Sequence, residues 1–213
     1  MKSLIIDTSH NISFLILTDN KKIVFFKKIE TPSLSKNLFS ALDSALKESN
    51  IKISELNYIA ASLGPGSFTG LRVGASICKT FNFTNNIPLI GYISLMAYTP
   101  KKDCSFIAAF DAKTDGFFAI EGTMLNKKIS YSSDPKLISS DEFEKLCLKA
   151  DIIISPDIEA IKSKITINKN KFEEAFFDPT SLIELTDNLY NEKKFYTYLS
   201  FDLLYMRGPN HIE

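Results

Sequence analysis

Apolar residues enter this chain first as short runs. Leu4 to Ile6, Ser13 to Leu17 and Ile23 to Phe26 are divided by Asp7-Thr8-Ser9 and by Asp19-Asn20, and runs bounded by turn formers predict a three-strand meander. From Ser33 to Ser49 the spacing changes. Leu34, Leu38, Leu42 and Leu46 recur every four residues beside Ala41 and Ala45, which places one apolar stripe along a helix. Pro32 precedes that helix and Ser33 can cap it. An apolar run from Tyr58 to Leu63, a helix over Leu71 to Phe83 and a run from Leu89 to Tyr92 complete the order β-β-β-α-β-α-β.

The second half starts the same grammar again. Phe106 to Phe110 ends at Asp111 as Leu4 to Ile6 ends at Asp7, Phe117 to Ile120 and Lys127 to Tyr131 follow, and a helix over Asp141 to Leu148 leads to Ile152-Ile153-Ile154. The expected class is therefore α/β, with two repeated βββαβα subdomains of the actin-like ATPase (RNase H-like) type, the second smaller or degenerate. The expected division is 1–98 for the first, with the glycine turn and partner helices, and 99–213 for the second. No low-complexity linker separates them, so the halves are expected to pack as one body around a cleft.

Four of the eight glycines fall within Gly64-Pro65-Gly66-Ser67-Phe68-Thr69-Gly70-Leu71-Arg72-Val73-Gly74, between a predicted strand and a predicted helix. Glycine lets the backbone turn sharply and approach another group closely, and Ser67 and Thr69 can cap the first helical N–H groups. Such a turn can receive an anion or a partner. No Lys-Ser/Thr pair closes it as in a P-loop, and its spacing is not that of a dinucleotide fingerprint, so it does not by itself indicate a nucleotide.

Composition narrows the field. Lys plus Arg equals Asp plus Glu at 25 each, which supplies no broad positive field for gripping nucleic acid, so any RNA is expected to be held through a larger assembly. Cys78, Cys104 and Cys147 are widely spaced and fit neither a disulfide framework nor a zinc knuckle. Asp7 interrupts the first apolar run too early for a signal peptide, and no stretch approaches the roughly 18 apolar residues of a membrane span. A cytoplasmic protein with reduced thiols and no membrane partner is expected.

Several of these segments together carry a family resemblance. Ile5-Ile6-Asp7-Thr8-Ser9, the 64–74 turn, Ile87-Pro88-Leu89-Ile90-Gly91 with Ser94-Leu95, Asp111-Ala112-Lys113 and Tyr205-Met206-Arg207-Gly208-Pro209 resemble the TsaB (YeaZ) family of bacterial tRNA threonylcarbamoyladenosine biosynthesis subunits. The resemblance is dense to about residue 120 and resumes at the C-terminus, leaving 126–194 unmatched. It implies a non-catalytic scaffold or activating subunit that heterodimerises with the catalytic TsaD subunit and acts with the ATPase TsaE. That complex transfers threonylcarbamoyl from threonylcarbamoyl-adenylate to N6 of adenosine 37 in tRNAs reading codons that begin with A.

The same resemblance bears on catalysis. After the strand matching Ile87 to Ile90, the catalytic relative carries a His-x-x-x-His metal pair, where this chain has Ser94 and Tyr98. No metal site and no catalytic residue are expected, and His10 and His211 are the only histidines. Asp7, Thr8, Gly64, Gly66, Ser67, Thr69 and Asp111 form a candidate vestigial nucleotide cleft, with no required cofactor and room at most for weak nucleotide binding. Asp7-Thr8-Ser9 and Asp111-Ala112-Lys113-Thr114 lack the glycine that lets backbone reach a phosphate, so both aspartates are read as closing strand ends by hydrogen bonds to nearby backbone. A nuclease would need three or four clustered carboxylates; besides Asp7 the first half offers only Asp43, Glu48 and Glu55 near a plausible site, and Asp43 and Glu48 lie on a helix face expected to be solvated. The competing reading is a stand-alone small actin-like ATPase or kinase.

The resemblance also implies that the helix with the leucine stripe and the helix after the glycine turn form a bundle with the matching pair of TsaD, a surface that can also self-pair as a homodimer. Family members usually read His-Ser-x-x-Leu-Leu-Pro where this chain has Leu34-Ser35-Lys36-Asn37-Leu38-Phe39-Ser40. The expected interface is Ser35, Leu38, Phe39, Leu42, Arg72, Ser76 and Lys79. The competing expectation for the leucines is burial in the chain's own core.

Overall fold

A computed structural model describes residues 1–30, 34–113, 116–166, 171–175 and 177–204. Pro32, Ser33, Thr114, the 205–209 motif and His211 lie outside the described residues.

The first unit comprises Met1–Ser94 and Pro179–Leu204. Its meander is β1 (Lys2–Asp7), β2 (Ile12–Asp19) and β3 (Lys22–Glu30), followed by α1 (Leu34–Glu48), β4 (Tyr58–Gly64), α2 (Phe68–Asn85) and β5 (Leu89–Ile93). The sheet order is β3-β2-β1-β4-β5, with β1 antiparallel to β2 and parallel to β4. Strands β1 and β4 are buried almost throughout, which is why they read as continuous apolar runs rather than alternating ones. The leucine stripe behaves as its period dictates: Leu38, Ala41, Leu42 and Ala45 pack against Leu15 and Leu17 of β2 in one core cluster.

The second unit, Leu95–Asp178 among the described residues, repeats the plan. It contains β6 (Cys104–Asp111), β7 (Phe117–Leu125), β8 (Lys128–Tyr131), β9 (Lys136–Ile138), α3 (Ser140–Lys149), β10 (Ile152–Ser155), α4 (Ile158–Ser163) and β11 (Phe172–Glu174). Its order is β11-β10-β6-β7-β8, with β6 antiparallel to β7 and parallel to β10, so β6 holds the place of β1. The twin βββαβα plan expected from the sequence is what the chain adopts. The second copy is the reduced one: α4 has 6 residues where α2 has 18, and β9 is an extra strand paired to β7.

The chain does not stay in the second unit to its end, as a division at 98/99 would have it. Helix α5 (Pro179–Asn191) and the segment to Leu204 belong to the first unit. Leu182 and Ile183 bury one face of α5, Tyr196 N donates to Leu89 O at 2.8 Å, and Phe201 is fully buried in the first core. No helix of the described residues is long and apolar enough to cross a membrane.

Candidate functional site

The glycine turn folds onto the end of β1. Ser67 N donates to the Ser9 carbonyl at 2.7 Å, and Ser67 Oγ accepts from Gly70 N at 3.2 Å as the N-cap of α2. A Cβ at Gly66 would overlap the Ser9 carbonyl, one at Gly70 the Thr8 carbonyl, and one at Gly74 would lie 2.5 Å from Thr8 Oγ1. The close approach that glycine allows is therefore spent on Thr8 and Ser9, the chain's own backbone and hydroxyl.

Both strand-end aspartates are occupied within their own units. Asp7 is 3% exposed; its Oδ1 accepts from Ser9 N at 2.9 Å and Ser9 Oγ at 2.6 Å, and its Oδ2 accepts from Tyr92 OH at 2.9 Å. Burial pushes its pKa above the ordinary carboxylate value, and the bonds from Ser9 and Tyr92 and the field of His10 pull it partly back. In the second unit Asp111 Oδ1 accepts from Lys164 Nζ at 2.6 Å and from Lys113 N at 3.1 Å, and Asp111 N donates to Asp157 Oδ2 at 3.1 Å. Each carboxylate thus bonds the N–H two residues on, and Lys164 supplies a cation to the second. In this structure both Asp7 oxygens, Asp111 Oδ1 and the glycine turn are engaged by groups of their own chain.

Ser94, at one position of the relative's histidine pair, is buried with its Oγ 2.5 Å from Ser62 Oγ. Tyr98, at the other, packs edge-on against Phe110 with ring centroids 5.3 Å apart. Among the described residues no three His, Cys, Asp or Glu side chains converge as a metal site. Burial pushes the Cys78 and Cys147 thiols up to about 12, which leaves them weak nucleophiles at neutral pH.

The surface opposite this packing is different in kind. Ser35 and Phe39 of α1 and Phe68, Arg72, Val73, Ser76 and Phe81 of α2 line an apolar groove of about 470 Å³. Phe39 and Phe68 are 58% and 52% exposed, and the Arg72 guanidinium sits 3.7 Å over the Phe68 ring. One helical turn separates Phe68 from Arg72, so the cation–π contact holds the guanidinium at the lip of the groove. Ser35, Phe39, Arg72 and Ser76, expected at an interface, meet here.

Three expected positions are placed differently. Leu38 and Leu42 are 0% and 6% exposed and belong to the core, because α1 turns its four-residue stripe onto β2 and leaves Phe39, one residue off the stripe, outside. Lys79 is half-buried and does not line the groove, whereas Thr69, expected in the cleft, does. Phe68 was missed. Its signal was the Phe-x-x-x-Arg spacing at the mouth of the helix, which begins at Phe68 rather than Leu71.

The model of the TsaD family, tRNA N6-adenosine threonylcarbamoyltransferase, matches residues 29–183. The chain belongs to this family. Within the family its resemblance is to the TsaB (YeaZ) members, as the sequence motifs indicated. It is 27% identical over 168 residues to the TsaB of Buchnera aphidicola from Acyrthosiphon pisum, covering 76% of this chain and 67% of that relative. It is 26% identical over 212 residues to the uncharacterized MG208 homolog of Mycoplasma pneumoniae, covering 97% and 95% of the two chains. The solved YeaZ from Pseudomonas aeruginosa shares the fold, with a TM-score of 0.77 at 16% identity over 96% of this chain and 99% of that one.

Proposed function

We propose that this chain is the non-catalytic scaffold or activating subunit of a tRNA threonylcarbamoyl transferase complex, docking onto a TsaD-type catalytic subunit through the α1/α2 groove. The observation that carries the reading is that groove: apolar, edged by one cation, and built from helices whose other faces are spent on the core. An exposed apolar concavity with aromatic and arginine anchors has the composition of an interface centre. Membership of the TsaD family and the TsaB names of the relatives supply the biological setting. The glycine turn and the two aspartates, engaged by their own chain, argue for lost chemistry and against a required nucleotide.

In this reading TsaE joins the heterodimer as its ATPase, and tRNA is held through the complex, consistent with 25 basic and 25 acidic residues in this chain. The groove can take a second copy when the partner is absent, giving a homodimer. Three free thiols fit a reducing, cytoplasmic location.

The test is reconstitution with the purified TsaD and TsaE homologues and a tRNA that reads an A-starting codon. Threonylcarbamoyladenosine formation should fall to background when this chain is omitted or carries Phe39→Asp. Full modification without the chain overturns the proposal, as does phosphate release from ATP well above background by the isolated chain.

A further inference from the structure

We infer that the docking surface does not end with the groove but runs the length of α2 onto an aromatic step formed by Phe83 and Tyr198, with Leu199 beside it, where the same partner seats an apolar side chain. This rests on the docking reading above. The groove alone is too small for a stable heterodimer: ten residues line it, against the roughly 20–30 residues and about 800 Å² per partner of a standard interface. Arg72, Ser76, Thr80 and Phe83 follow steps of four, four and three and share one face of α2. From Phe68 to Phe83 that face extends about 22 Å at the helical rise.

What waits at its far end is built rather than loose. Phe83 is 62% exposed and Leu199 74% exposed, and the Phe83 ring meets the Tyr198 ring edge-on at 4.9 Å. The segment carrying Tyr198 is fixed on both sides: Tyr196 N donates to Leu89 O at 2.8 Å, Tyr198 N to Asn82 Oδ1 at 2.8 Å, and Phe201 is buried in the core. The ordering cost of this step is met in the folding of the chain, leaving its apolar faces available to a partner at little further entropic loss. Glycine-free and tied at three points, the segment is a wall for a partner helix end.

The experiment is calorimetric titration of the full-length chain with the purified TsaD homologue of the same organism. Phe83→Ser and Leu199→Asp should each raise Kd about tenfold or more, with thermal unfolding unchanged. Leu199→Ala should raise it less, and Leu148→Asp, at a position 71% exposed on α3, should leave it as in wild type. If Phe39→Asp abolishes binding while Phe83→Ser and Leu199→Asp bind normally, the step is no part of the interface and this inference falls while the docking reading stands. If Phe39→Asp also binds normally, the docking reading falls with it. Sedimentation of the isolated chain identifies the remaining occupant: loss of self-association in Leu199→Asp with unchanged TsaD binding would assign the step to a second copy and overturn the inference.

Discussion

Asp7 takes three hydrogen bonds into a carboxylate that solvent barely reaches, and the balance between them and its burial decides what a substitution there does. Asp7→Ala removes the buried acceptor that Ser9 N, Ser9 Oγ and Tyr92 OH share and should cost about 1–3 kcal/mol of stability, read from urea unfolding. Asp7→Asn keeps an acceptor for Ser9 and removes the buried charge, so it should be much milder at neutral pH. Because burial raises the folded pKa, the folded protein holds the Asp7 proton more tightly than the unfolded chain does. Stability relative to Asp7→Asn is therefore fully present below the ordinary value of 3.8 and is lost as pH rises through the raised one. Unfolding both proteins from pH about 3.5 to about 7 should show wild type losing ground to Asp7→Asn. A difference that grows in the opposite direction would mean that the hydrogen bonds outweigh desolvation.

On α1 the buried and exposed faces make opposite predictions for adjacent residues. Leu38→Ala opens a cavity under the first sheet and should cost about 2–5 kcal/mol, whereas Phe39→Asp, at a position 58% exposed, should change stability little and abolish partner binding. The four-residue period in the sequence was enough to find this helix and its stripe. It could not say what covers the stripe, since apolar residues in that rhythm read identically against the chain's own sheet or against another chain. Helix α3 shows a different limit. Lys171 Nζ donates to the carbonyls of Cys147, Leu148 and Ala150 at 3.2, 3.2 and 2.7 Å, closing the C-terminal end of the helix from more than twenty positions away. No local pattern announces such a cap. Lys171→Met should cost about 1 kcal/mol by leaving those carbonyls to water and removing a cation from the negative helix end, measurable as a lower urea midpoint.

At the scale of the whole chain, the repeat was legible because strand runs and their terminal aspartates recur, but the return of the last elements to the first unit was not. The elements between 126 and 194 include strands of three residues, too short for a period to show, and α5 is bonded where it packs by a side chain met 129 positions earlier. There Tyr58 OH donates to Asp187 Oδ1 at 2.7 Å, with Thr186 Oγ1 at 2.9 Å, while Asp187 is 2% exposed and its Oδ2 has no hydrogen-bond partner among the described residues. Burial pushes the Tyr58 hydroxyl pKa up, so it acts only as a neutral donor. The pair should behave as a registration device rather than a source of net stability. Tyr58→Phe removes the hydroxyl that donates to Asp187 Oδ1 and should cost about 1–3 kcal/mol, because a buried acceptor then loses its hydrogen bond. Tyr58→Phe combined with Asp187→Leu replaces both partners by apolar groups of similar shape and should recover most of that loss. A double-mutant cycle by urea unfolding measures the coupling. Losses that simply add would show that α5 is held by apolar packing, that of Leu182 and Ile183 and the stacking of Tyr190 on the Tyr58 ring, with the Tyr58–Asp187 bond playing no part in bringing the chain home.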